Sequence, residues 1–366
     1  MVHLDSNQLV SPANNKGSAP ASGAVFGALA KDMERSVFCR STDDPSEASG
    51  FATATRGIRG GADSNARGRA CSPVLRRREF LIATGAFAVS AAIRSSAAPV
   101  KLERQVGLVA ATLAQHQDFR KKGGLELMDL PKAIHGELGM TVIDMNTMNF
   151  AELNERVAGQ FRTAADKEGC VLTNLKLNQR GLDIGDADEG KRKHALDVYR
   201  RSVDAAAIMG MRWVRPLPTA KAPQQSHLID SLRRLDDYAR PKGIRVLIEN
   251  FGWMQADADS VVKLINAVDR DLPASPDTGN WNSNAVRYAG LELTFPLAAT
   301  CDFKAKTLGP DFEHKAYDLK RCFDIGWKAG FRGPWCIEHG NNDLKKLWTE
   351  LRWVRDQLLK WMKEAA

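Results

Sequence analysis

Three carboxylates follow directly on short apolar runs of the 366-residue sequence. Glu249 ends the run 246–248, Asp277 follows a short proline-containing run, and Glu338 ends the run 335–337. A carboxylate accepts protons and is also the oxygen ligand that hard divalent cations prefer. Acids that converge repel one another and lose hydration unless a positive charge lies among them. We therefore expect a divalent metal at these acids, Mg²⁺ or Mn²⁺ in the first place, with Co²⁺ or Zn²⁺ also acceptable.

The spacing of these acids indicates successive strand-helix units. Asp277 lies 28 residues after Glu249, and Glu338 lies 61 residues after Asp277, which corresponds to one unit and then two. Side chains alternate along a strand, so the intervening unit presents one polar face made of Asp302, Lys304 and Lys306. The alternative interpretation is that each acid only caps the helix that follows it, where the helix dipole favours a negative charge.

The elements that must position these side chains form an α/β pattern. From residue 105 onward, short apolar runs alternate with longer amphipathic stretches, as expected when helices connect parallel strands. Eight strand-helix units in this length predict a single closed (β/α)8 barrel, a TIM barrel, with its chemistry at the strand ends. The rival is an open doubly wound sheet, but no GxGxxG follows the first strand. The predicted strands are 106–113, 141–145, 171–177, 213–217, 245–248, 274–276, 299–303 and 335–337.

Four short segments around these acids carry a resemblance to a known family. The segments 247–250, 276–280 and 336–340, with 329–333 before the last strand, resemble the xylose-isomerase-like barrels of sugar and sugar-phosphate isomerases and epimerases. The resemblance covers roughly residues 105–362, and it rests on the order and spacing of the segments because each one alone is weak.

The resemblance implies a metal site with two acid-base residues. In the family, a Glu, an Asp, a His and a Glu from strands five to eight bind one divalent metal, and both Glu residues move protons. Glu249 and Glu338 match the catalytic pair, and Asp277 matches the second ligand. The family's strand seven reads His-x-Lys, whereas this chain has Asp302 in the histidine position, two residues before Lys304. Either Asp302 completes a four-carboxylate set, which we favour slightly, or Lys304 points into the site and replaces the metal.

The acids and the family resemblance together predict a metal-dependent isomerase or epimerase that acts on a sugar or sugar phosphate through a metal-stabilised enediolate. The alternative function is a non-catalytic, exported carbohydrate-binding barrel whose metal site has degenerated. A small carbohydrate is the expected partner in both cases. The candidates for substrate contacts are Arg215, Asn250, Asn280, Trp281, Lys304, Lys306 and His339.

The first hundred residues read as a leader and a signal. Residues 1–75 are rich in small and polar residues without a sustained hydrophobic period, so we expect them to be disordered. Residues 76–98 run from basic to apolar to small residues, and 77–81 resembles a bacterial twin-arginine export signal. We expect the twin-arginine export machinery as a partner, a periplasmic or otherwise exported location, no permanent membrane span, and a barrel over 99–366.

Charge and cysteine usage exclude other classes. The net charge is +8, but residues 1–100 hold 12 Lys+Arg against 8 Asp+Glu, which accounts for half of the excess. No Lys/Arg run longer than three residues follows residue 100, so we expect no nucleic-acid partner. The sequence is compatible with a homo-oligomer. The remaining cysteines show no metal-ligand spacing and are expected to be buried free thiols: Cys170, Cys301, Cys322 and Cys336.

Overall fold

A computed structural model of the chain describes residues 101–217, 219 and 221–366. The predicted leader 1–75 and signal segment 76–98 lie outside the described residues. Within the described residues, a curled sheet of seven parallel strands has the order β5-β4-β3-β2-β1-β7-β6. The strands are β1 (Val106–Val109), β2 (Val142–Asn146), β3 (Val171–Leu177), β4 (Trp213–Pro216), β5 (Arg245–Val246), β6 (Cys301–Ala305) and β7 (Trp335–His339).

Helices connect consecutive strands, which is what parallel pairing requires. They are α1 (Leu130–Leu138), α2 (Glu155–Lys167), α3 (Glu189–Ile208), α4 (Gln225–Ala239), α5 (Ser260–Val268), α6 (Asn284–Thr294), α7 (Leu319–Lys328) and α8 (Leu344–Glu364). The apolar stripe of α8 is buried, as its spacing of three and four residues predicts. Among the helices of the described residues, none is both long and apolar enough to cross a bilayer.

The ends of the helices follow local chemistry. Side chains of Asp188, Asp318 and Asp343 accept hydrogen bonds from backbone N–H groups in the first turns of α3, α7 and α8. Gly243 (φ 75°) and Gly330 (φ 88°) adopt the left-handed conformation shortly before β5 and β7. This conformation favours glycine, so these two positions return the chain to the sheet at low cost.

The prediction of a closed barrel with eight regular strands is wrong in two places. The predicted strand 106–113 ends at Val109, and a 3-10 helix follows over Ala110–His116. Among the described residues, the predicted strand 274–276 makes only isolated bridges, from Ala274 to Ile248 on one side and to Ala298 on the other. Pro273 precedes this segment and Pro276 is its last residue, and a proline has no N–H to donate to a ladder. The sheet is therefore an open, curled sheet of seven strands, and an irregular segment spans the gap between β5 and β6.

The four cysteines within the described residues are free and buried, as predicted. Burial raises the pKa of the Cys170 thiol to about 11 and that of the Cys322 thiol to about 12. Burial also raises the pKa values of Cys301 and Cys336 above the ordinary thiol value. Because the thiolate is the reactive form, these side chains are inert at neutral pH.

We expect iodoacetamide at pH 8 to leave these four thiols unmodified in the native protein. A thiol with a pKa of about 11 is ionised in only about one molecule in a thousand at that pH. The same treatment in 6 M guanidinium, roughly the denaturant needed to unfold even stable domains, should modify all four. Peptide mass spectrometry measures both results, and rapid alkylation of native Cys301 or Cys336 would contradict the buried placement.

Candidate functional site

Glu249, Asp277 and Asp302 come together at the carboxyl ends of the strands. One carboxylate oxygen from each residue lies within 4.8 Å of the other two, and we call these three residues the carboxylate triad. Glu249 is 2% exposed, and both aspartates are fully buried. Asp277 reaches this position because residue 277 bridges Asp302 across the gap in the sheet, where the Thr278 N–H donates to the Asp302 carbonyl over 3.0 Å.

Glu338 joins the triad through a lysine. On β7, Glu338 pairs in register with Lys304 on β6. The Lys304 ammonium lies 2.9 Å from Glu338 Oε1 and 2.8 Å from Asp277 Oδ2, and it donates to Asn280 Oδ1 over 3.0 Å. Lys304 is 8% exposed, so its charge is enclosed with those of the acids. The four acids predicted from the sequence therefore belong to one cluster, in which three are buried and Glu338 is partly exposed, and Lys304 also points into it.

Two more cations accompany the other acids. Arg215, at the end of β4, lies with its Nε 2.5 Å from Glu249 Oε2 and donates to Asn178 Oδ1 over 2.8 Å. Lys176, on β3, donates to Asp302 Oδ2, and both side chains are almost completely buried. Each of the four carboxylates therefore has a cationic neighbour, which offsets the free energy cost of burying so many negative charges.

Burial and these pairings move the pKa values in opposite directions. Burial, reinforced by the neighbouring acids, raises the pKa values of Asp277 and Asp302 above the ordinary range, although a lysine opposes the rise in each case. Burial acts to raise the pKa of Glu338 too, but Lys304 and Lys176 outweigh it and hold that pKa below its ordinary value. Burial opposes the charge of Lys304, yet Asp277 and Glu338 raise its pKa, so the ammonium persists.

The donor atoms of the triad fit a hard divalent cation. Glu249 Oε2, Asp277 Oδ2 and Asp302 Oδ1 are buried and accept no hydrogen bond from any described residue. The first two oxygens face a cation in an ion pair, and Asp302 Oδ1 has neither kind of partner in the described part of the chain. Buried polar atoms are almost always hydrogen-bonded, so Asp302 Oδ1 is the exception that needs an explanation. An all-oxygen set of this kind suits Mg²⁺ or Mn²⁺.

Two asparagines brace the acids. Asn280 Nδ2 donates to Glu249 Oε1 over 3.1 Å, so this predicted residue links the Glu249 carboxylate to Lys304. The Asn250 side chain donates to the carbonyls of Asp277 and Asn280 over 2.9 and 3.0 Å, and it accepts from the Asp277 N–H over 2.8 Å. Asn250 therefore ties the segment around Asp277 to the end of β5, and its contacts within the described structure are to backbone groups.

Of three other predicted residues, Trp281 and His339 contact helices outside the cluster, and Lys306 lies near Lys304. Trp281 is 5% exposed, and its ring lies against the face of α6 at Gly290. His339 contacts the Ala305 carbonyl through Nδ1 and Glu350 Oε2 through Nε2, the latter over 2.7 Å. Lys306 is half-buried, and burial together with the Lys304 charge lowers its pKa. Their predicted contacts with substrate stay predictions.

Sequence reasoning missed Lys176. It lies on β3 in the segment VLTNLKL, where Asn174 and Lys176 share one face by strand alternation. A lysine within an apolar strand is the signal that could have found it, because burying an ammonium without a partner is costly. The choice of Asp302 as its partner depends on which side chains meet across the interior, which the local pattern does not show.

Comparisons with known proteins agree with this architecture. Residues 136–364 match the family described as "Xylose isomerase-like TIM barrel". No curated protein sequence matches the chain.

Solved structures show the same fold at low sequence identity. A xylose isomerase domain protein from Planctomyces limnophilus is 16% identical with a TM-score of 0.55, over 73% of this chain and 99% of that one. A xylose isomerase-like TIM barrel protein from Mycobacterium smegmatis, in complex with magnesium, is 19% identical with a TM-score of 0.52, over 72% and 98%. A 3-keto-D-glucoside 4-epimerase from E. coli is 17% identical with a TM-score of 0.56, over 70% and 100%.

We expect the change Lys176→Met to lower the free energy of unfolding by about 3–5 kcal/mol, because it leaves the buried Asp302 carboxylate without its partner. The double change Lys176→Met with Asp302→Asn should recover part of the loss, because no unpaired charge remains. Urea denaturation followed by circular dichroism measures both. The matched control is Lys193→Met, which breaks an exposed pair with Asp197 and should leave stability unchanged. An equal loss in both single variants would contradict the importance of the buried pair.

Proposed function

Since this chain belongs to the xylose isomerase-like TIM barrel family, we propose that it is an isomerase or epimerase of a sugar or sugar phosphate. The observation that carries the proposal is the meeting of three buried carboxylates, with one oxygen from each within 4.8 Å of the others. Asp302 Oδ1 has no hydrogen-bond partner among the described residues. The epimerase with the same fold supports the choice of substrate class.

Glu249, Asp277 and Asp302 would hold the divalent cation, with Glu338 as the fourth ligand. Mg²⁺ or Mn²⁺ is the expected ion, and Co²⁺ or Zn²⁺ also suits carboxylates. When bound, the cation supplies the positive charge that lowers the free energy of an enediolate.

The chain's own residues supply the proton transfers. Glu338 has a lowered pKa, so at neutral pH it is a carboxylate that can accept a carbon-bound proton at an Oε atom. Return of that proton by Glu338 to the adjacent carbon gives isomerisation. Glu249, held by Arg215 and Asn280, is the second acid-base group. In its protonated form it would give its own proton to the same carbon from the other face, which gives epimerisation and leaves the first proton on Glu338 to exchange with solvent.

A second candidate function has an observation in its favour. The Lys304 ammonium bridges Asp277 and Glu338, and Lys176 pairs with Asp302, so internal cations already balance most of the negative charge. A barrel neutralised in this way can bind a sugar through its polar groups without a metal and without turnover. The alternative is therefore a non-catalytic carbohydrate-binding protein with a degenerate metal site.

We expect the protein, loaded with Mn²⁺ or Mg²⁺, to exchange a carbon-bound hydrogen of a ketose or ketose phosphate for deuterium in D₂O. The change Glu338→Gln should slow this exchange by about 10²- to 10⁴-fold, because it removes the proton acceptor. Proton NMR of a panel of sugars measures the exchange. The control is Glu292→Gln, an exposed position on α6 that should keep the parent rate. Tight sugar binding without exchange by the parent would instead favour the binding protein.

The export proposal rests on the sequence alone, since residues 76–98 lie outside the described structure. We expect that changing Arg77→Lys together with Arg78→Lys keeps the full chain in the cytoplasm of a bacterium with twin-arginine machinery, because the receptor reads the arginine pair. Arg76→Lys is the matched control and should still be exported. Immunoblots of periplasmic and cytoplasmic fractions measure the outcome. Detection of the double variant in the periplasmic fraction would contradict the proposal.

A further inference from the structure

Lys304 is the one cation of the described site that contacts two carboxylates at once. Its ammonium lies 2.8 Å from Asp277 Oδ2 and 2.9 Å from Glu338 Oε1, and its third contact is the Asn280 amide oxygen at 3.0 Å. Two of these three partners are residues that would bind a divalent cation. Lys304 therefore occupies the kind of bridging position that such a cation would take.

The other two cations each contact a single carboxylate of the triad. Lys176 donates to Oδ2 of Asp302, and Oδ1 has no partner among the described residues. Arg215 Nε lies 2.5 Å from Glu249 Oε2, which is also a candidate ligand atom. Asp277 Oδ2 is a candidate ligand atom as well, and the Lys304 ammonium that contacts it also contacts Glu338. A cation that used Asp277 Oδ2 would have to move the ammonium away from two carboxylates.

The stem of Lys304 is held firmly. Its backbone N–H donates to Thr278 Oγ1 over 2.9 Å, and its carbonyl accepts from the Tyr317 hydroxyl. The stem lies across Gly279, where an added Cβ would come within 2.7 Å of Lys304 Cδ. Because the glycine leaves this space and the backbone is fixed, the ammonium is directed to the gap between Asp277 and Glu338.

Charge balance favours this arrangement in the metal-free protein. Four carboxylates of the cluster face the three cations Lys176, Lys304 and Arg215, and the buried Asp144 adds a fifth carboxylate near Lys176. The acids outnumber the cations, and Lys304 gives two of them a shared positive charge in the absence of a metal ion. A buried ammonium close to a metal ion lowers the affinity for that ion by Coulomb repulsion.

We propose that Lys304 is an internal counter-cation that holds Asp277 and Glu338 together in the metal-free protein and competes with a divalent cation for them. The inference rests on the metal site of the proposed function. It goes beyond that function because it makes Lys304 the residue that sets how tightly the metal binds. It also explains how the acids stay assembled when no metal is bound.

The test is calorimetric titration of the full chain with Mn²⁺ for the parent and two variants, Lys304→Met and Lys304→Gln. Removing a positive charge at contact distance should tighten Mn²⁺ binding by about tenfold or more in both variants. The control is Lys306→Met, which removes a charge two residues further along the chain and should change the affinity less than Lys304→Met does. An equal increase in Mn²⁺ affinity from Lys306→Met would overturn the inference, because any nearby positive charge, and not the contact made by Lys304, would then set the affinity.

Thermal melting provides a second readout that does not depend on affinity alone. Without metal, Lys304→Gln should melt at a lower temperature than the parent, because Asp277 and Glu338 lose their shared partner. Saturating Mn²⁺ should then raise the melting temperature of the variant by more than that of the parent. Equal shifts in the two proteins would contradict the competition, and metal-dependent recovery of folded Lys304→Met would support it.

The outcomes separate this inference from the proposed function. Equal Mn²⁺ affinities in parent and variants overturn the inference and leave the metal site in place. Binding by the Lys304 variants alone supports the inference and assigns the parent to the non-catalytic alternative. Absence of binding in every protein overturns both the inference and the metal-dependent reaction.

Discussion

The balance of buried charges governs the structure of this site. Four carboxylates meet in one cluster, three of them buried and Glu338 partly exposed, and each lies beside a lysine or an arginine. The stability of such a set depends on complete pairing, since one uncompensated charge in the interior is strongly destabilising. The same requirement explains why acids and cations from strands that are far apart in sequence lie next to one another.

The scaffold imposes this meeting of charges through parallel strands, whose carboxyl ends face one side of the sheet. Glu338 is fixed by the regular pairing of β6 with β7. Asp277 is fixed differently, because its segment forms only isolated bridges and the Asn250 side chain supplies three hydrogen bonds to the local backbone. A side chain thus takes over part of the role that ladder hydrogen bonds have elsewhere in the sheet.

Sequence reasoning found what local patterns encode. The apolar runs predicted the seven strands, although several bounds differ by a few residues, and the acids placed after them, Glu249, Asp277 and Glu338, lie in one cluster of the structure. The prediction of a regular eighth strand was wrong because Pro273 and Pro276 have no backbone N–H to donate, and a pattern of apolar residues does not take this into account. The pairing of Lys176 with Asp302 joins positions 126 residues apart, so it follows from the curvature of the sheet and not from any local spacing.

The short segment 273–276 makes the position of one acid depend on a few discrete contacts. Isolated bridges and individual backbone hydrogen bonds join it to its neighbours in place of a continuous ladder. Ala274, Ser275 and Asp277 are fully buried, so a substitution in this segment also alters interior packing. A mutation there is therefore expected to disturb the placement of Asp277 and the stability of the fold together.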